Sequence, residues 1–90
     1  MTEPKTIRLL GRDVESTGWW RAERFPFRLD IEKWNRSDDT SYYTGTLCAL
    51  GEFLEKQSGD DPQDLANKLT ARARELVAEM AWYTRATEDA

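Results

Sequence analysis

Ninety residues suffice for one domain of radius of gyration about 12 Å, with a core so thin that each large side chain counts. The chain carries 13 Lys/Arg against 17 Asp/Glu, a net charge of −4, with no histidine and a single cysteine. Those totals exclude an internal disulfide, a histidine general base or triad, and a structural zinc site, since Cys48 has no Cys or His companion.

A lone cysteine fits a reducing compartment. No apolar run follows Met1–Lys5 as a signal peptide would require, and no stretch approaches the roughly 20 apolar residues of a membrane span. A cytoplasmic protein is the expectation. The charge is uneven: residues 1–36 hold eight Lys/Arg against six Asp/Glu, and residues 37–90 hold five against eleven. Four tryptophans are more than a small core hides, so some should be exposed.

Residues 1–5 read as a frayed terminus. Thr6–Leu10 is a short strand with Ile7 and Leu9 on one face. Gly11-Arg12 suits a type II′ turn, Asp13–Glu15 the return, and Ser16-Thr17-Gly18 a break. Trp19–Arg24 reads two ways. Adjacent tryptophans favour a strand, the preferred reading, while Ser16 as a cap and Pro26 as a stop would allow one or two helical turns. The clearest strand is Phe27–Glu32, where Phe25, Phe27, Leu29 and Ile31 alternate with Pro26, Arg28, Asp30 and Glu32. Residues 35–41 form a polar loop.

A first helix is expected over 41–57, capped by Thr40 or Ser41, with Tyr43, Leu47, Leu50 and Leu54 as its stripe. Gly45 and Gly51 would weaken it by about 1 kcal/mol each relative to Ala, or mark where another backbone comes close. A second helix is expected over 61–87, opened by Asp61 as cap, Pro62 at the first position and Asp64 in the first turn. Leu65, Leu69, Ala73, Leu76, Met80 and Tyr83 form its stripe, with Ala66 and Val77 at the margin. Gly59 ends the first helix, and the short connection makes the two antiparallel. The predicted fold is therefore a single α+β domain over 1–90. A small antiparallel sheet of two or three strands (6–34) packs against a C-terminal antiparallel two-helix hairpin, with Leu29, Ile31, Leu50, Leu69 and Leu76 buried.

Residues able to carry chemistry have structural readings. Cys48, on the first helix beside Glu52 and Glu55, faces carboxylates that oppose a thiolate. Asp38-Asp39 and Asp60-Asp61 precede helices as caps and lack calcium-loop spacing. The carboxylate pairs Glu23/Asp30 and Glu52/Glu55 read as solvated faces, and the glycines are too scattered for a phosphate loop. No catalytic residue, metal or cofactor is expected.

Two functional readings remain. The first is a small acidic, non-enzymatic protein–protein interaction protein (an adaptor, inhibitor or assembly subunit) that works by occupying a partner's surface. Trp82 lies off the helical stripe on the side of Ala71, Glu75 and Ala78, and with Trp19 it forms the expected contact. Acidic side chains would steer a partner with a basic surface, and self-association as a homodimer is the other assembly expected. The alternative is a nucleic-acid-binding module whose sheet presents Arg8, Arg21, Arg24 and Arg28 between Trp19 and Trp20. Glu23, Asp30 and Glu32 interrupt that basic footprint and make nucleic acid the weaker reading.

Overall fold

The computed structural model describes the backbone of residues 3–88 and the side chains of residues 3–78. Six strands precede one helix: β1 (Lys5–Leu9), β2 (Arg12–Ser16), β3 (Trp19–Arg24), β4 (Phe27–Asn35), β5 (Ser41–Ala49), β6 (Glu52–Gly59) and α1 (Pro62–Glu88). The strands make two antiparallel sheets, β1-β2 and β3-β4-β5-β6. The expected two-helix hairpin is thereby overturned. Among the described residues only α1 is helical, and the segment assigned to a first helix, 41–57, lies in the hairpin β5–β6.

The reason lies in the residues between the leucines. Tyr43 and Leu47 are four apart, a spacing that keeps one face in a helix and in a strand alike. Tyr42, Tyr43, Thr44 and Thr46 favour the pleated backbone. β4 supplies a nine-residue partner, in register from Phe27↔Ala49 to Asn35↔Ser41. Leu50, expected in the core, sits instead at the tip of the hairpin and is 69% exposed. Leu50 and Gly51 have φ of 52° and 82°, the two left-handed positions of a type I′ turn. Leu10 and Gly11, at 51° and 79°, repeat that turn between β1 and β2. It falls one residue earlier than the Gly11-Arg12 turn expected, and its leucine is buried.

β3 resolves the ambiguous stretch as a strand, with Trp20 and Ala22 pointing inward. A cis Phe25–Pro26 peptide connects it to β4, and the Leu50 N–H donates to the Pro26 carbonyl at 3.1 Å, so the β3–β4 and β5–β6 turns lie side by side. β4 runs past the expected stop to Asn35.

One face of the four-stranded sheet is covered by α1 and the β1–β2 hairpin. Between them lie Ile7, Leu9 and Leu10, then Trp20, Phe27, Leu29, Ile31 and Leu47, then Leu65, Ala66, Leu69 and Ala73. Leu76 packs at the edge of this cluster. The buried Trp20 indole donates to the Lys5 carbonyl at 2.8 Å and tilts against Tyr43, so its one polar atom is satisfied.

The helix starts as its sequence dictates: Asp61 Oδ1 accepts the Gln63 N–H at 3.0 Å, and the Asp61 carbonyl accepts from Leu65. Asp64 pairs with Lys68 at 3.0 Å rather than returning to the cap. Two side chains then stitch α1 to β1. Gln63 accepts from the Arg8 N–H and donates to the Arg8 carbonyl, and Thr70 Oγ1 accepts from the Leu10 N–H at 3.1 Å. Among the described residues no helix is long and apolar enough to cross a membrane.

Candidate interaction surface

The other face of the four-stranded sheet has no element over it among the described residues. Strand alternation places Trp19, Arg21 and Glu23 of β3 there, opposite Glu32, Asp30 and Arg28 of β4. Trp34 of β4 faces Tyr42 of β5, and Cys48 faces Arg28. An antiparallel sheet ordinarily shows water a polar face. Here two indoles stand among the charges, Trp19 at 53% and Trp34 at 46% exposed.

Asp30 organises this face. It is the one buried charged side chain among the described residues, at 8% exposed. Its Oδ1 accepts from Arg21 Nε at 2.6 Å and from the Trp19 indole N–H at 3.1 Å, and Arg28 Nε stands 3.2 Å from Oδ2. The Arg28 contact is an ion pair without hydrogen-bond alignment: that buried Nε has no hydrogen-bond partner, and Nη2 reaches Cys48 Sγ at 3.8 Å. The hydrogen bond to Asp30, reinforced by the charges of Asp30, Glu23 and Glu32, raises the Arg21 pKa above its ordinary value. The Arg21 guanidinium also lies 4.6 Å above the Trp19 ring. Trp19 is fixed from its backbone as well, because Ser16 Oγ accepts its N–H at 3.1 Å and closes the turn that feeds β3. Toward the far end of the face, Trp34 donates to Thr44 Oγ1 at 2.9 Å and Arg36 lies over Tyr42.

The residues singled out from sequence are spread over the molecule. Trp82 lies outside the residues whose side chains are described. Ala71, Glu75 and Ala78 are exposed on α1, Glu75 pairing with Arg72, and Trp19 stands on the opposite side of the sheet. The structure does not bring that helix strip and Trp19 together. The four arginines of the nucleic-acid alternative also separate. Arg8 on β1 pairs with Asp13, Arg21 and Arg28 hold Asp30, and Arg24 lies on the helix side beside Gly11. Cys48 sits on β5 next to Arg28, not on a helix beside Glu52 and Glu55.

Sequence reasoning missed Asp30 as a buried anchor and Trp34 and Tyr42 as surface residues. Only the register reveals them, because Arg21 and Asp30 are opposed across strands, not neighbours in sequence. No family model, no curated protein and no solved structure matches the chain. What the fold and surface define is a class: a small α+β protein with a helix on one face of an antiparallel sheet and an open, aromatic-bearing second face.

Proposed function

We propose that this is a non-enzymatic protein–protein interaction protein, and that the open face of the β3–β6 sheet is a surface on which it meets a partner. The observation that carries the reading is Trp19, half exposed yet held by Asp30, stacked by Arg21 and anchored by Ser16. An exposed indole that is already ordered loses little freedom on binding, which is what an interface anchor requires. The face is electrically balanced, Arg21, Arg28 and Lys56 standing against Glu23, Asp30 and Glu32. Shape and aromatic contact, rather than local charge, then govern recognition there, while the net charge of −4 favours approach to a basic surface.

The test is a pull-down with wild type and Trp19→Ala as paired baits, with sedimentation of each alone to register self-association. A partner, or a second copy, held by wild type and lost by Trp19→Ala with circular dichroism unchanged supports the reading. Equal retention by both removes Trp19 from the contact. A balanced sheet face also argues against the nucleic-acid alternative. Wild type is expected to give no gel retardation of duplex or single-stranded DNA even at about 50 mM salt, where phosphate contacts are strong. Salt-sensitive micromolar retardation would replace the protein-partner reading.

A further inference from the structure

On the helix side of the sheet, the tip of the β3–β4 hairpin and α1 enclose a half-open cleft of about 340 Å³. Its walls are Leu10, Phe25, Phe27, Ala73 and Val77, and its rim carries Arg24 and Arg74. Three features set it apart from an ordinary surface dent. Phe25 is 87% exposed at the hairpin tip, an aromatic ring that folding leaves in water. Among the described residues Arg8, Arg21, Arg28, Arg36 and Arg72 each make an ion pair, whereas Arg12, Arg24 and Arg74 make none, and two of those three meet at this cleft. The Arg24 guanidinium also lies close over Gly11 of the β1–β2 turn, with Nη1 3.3 Å from where a Cβ would stand. The chain as a whole is acidic, so this basic rim is a local inversion of its charge.

We infer that this cleft binds an acidic, apolar segment of a partner polypeptide: a bulky apolar side chain in the Phe25–Phe27–Val77 pocket, flanked by carboxylates that reach Arg24 and Arg74. The charge complementarity selects the occupant. A neutral apolar segment would leave two guanidiniums beside a dried pocket without anions, whereas carboxylates on either side engage both in charge-assisted hydrogen bonds. The site is separate from the Trp19 face, which lies on the opposite side of the sheet, and stands independently of it.

The probe is an acetylated and amidated Glu-Leu-Phe-Glu peptide, titrated into labelled full-length protein while backbone amide shifts are followed. Saturable shifts centred on Leu10, Arg24, Phe27, Thr70 and Ala73 are expected. Affinity should fall about ten-fold for the Gln-Leu-Phe-Gln peptide, and by a similar factor for the Arg24→Gln/Arg74→Gln protein. Val77→Asp, at a half-exposed position, should weaken binding without disturbing the fold. Trp19→Ala should leave peptide affinity unchanged, so the cleft and the sheet face are read separately. Absence of saturable shifts at the cleft, equal affinity for the neutral peptide, or tighter binding of octanoate than of the peptide would each overturn the inference.

Discussion

Leu69 of α1 occupies the space that a side chain on residue 45 of β5 would need: a Cβ built on Gly45 collides with Leu69 Cδ1 and crowds Ile31 Cδ1. The glycine is what allows the helix to settle on the middle of the sheet, and it ties the depth of Leu69 in the core to the absence of a side chain on its neighbour. Gly45→Ala should therefore destabilise by about 1–3 kcal/mol through overpacking. Leu69→Ala should cost about 2–5 kcal/mol through lost burial and a cavity. In the double variant the added methyl enters the vacated volume, so its loss in urea unfolding should be smaller than the sum of the two single losses. Additive losses would mean that the two positions do not share one space.

At the β5–β6 tip the side chain and the backbone disagree. Leu50 takes a left-handed φ of 52° while exposed to water, so it gains little burial for that strain. Leu50→Asn should stabilise the protein by about 0.5–1 kcal/mol, since Asn adopts that conformation readily and suits the first position of a type I′ turn. Leu10→Asn, at the same turn position but in the core, should destabilise by more than that gain, because a buried leucine is lost. Thermal melts of the two variants should move in opposite directions.

Asp30→Asn should loosen the open sheet face. Arg28 Nε is already buried without a hydrogen bond, and removing the carboxylate charge leaves two guanidiniums facing each other. Both arginines keep access to water, so the loss should be about 1–2 kcal/mol, below that of a fully buried pair. Near-ultraviolet circular dichroism should report the release of Trp19, whose indole donates to the same carboxylate. A full-size stability loss with an unchanged Trp19 signal would separate the anchor from the indole.

The β4–β5 loop supplies a pH-dependent contact. The Thr40 hydroxyl donates to Asp38 at 2.6 Å and the Thr40 N–H adds a second bond at 3.3 Å; with Arg36 nearby these hold the Asp38 carboxyl below its ordinary range. A carboxyl lowered on folding contributes stability above the unfolded value of about 3.9 and loses it as the pH falls through the folded value. Thr40→Val should move the Asp38 titration back up toward the ordinary range, followed by side-chain NMR. An unmoved titration would assign the lowering to another source.

Much of the chain was legible from local chemistry. Asp61-Pro62 set the start of α1, and Leu65, Leu69, Ala73 and Leu76 its packed side, because caps and helical spacing act within a few residues. The alternation from Phe27 to Ile31 set the buried side of β4 in the same way. The segment 41–57 was not legible. Tyr43 and Leu47 satisfy both periods, and what selects the strand is the edge of β4, a partner that spacing within the segment cannot register. Gly45 and Gly51 carried the signal as helix-weakening residues, but one marks the approach of Leu69 and the other a left-handed turn. The candidate surface depended wholly on pairing. Trp19, Arg21, Arg28 and Asp30 are ordinary residues of two amphipathic strands until register brings them to one carboxylate, and Arg24 and Arg74 line one cleft only once α1 lies across the sheet. Composition and local pattern determined which segments had a face to bury; tertiary packing decided which faces met, because strand pairing and burial are long-range terms that outweigh propensities of about 1 kcal/mol or less per residue.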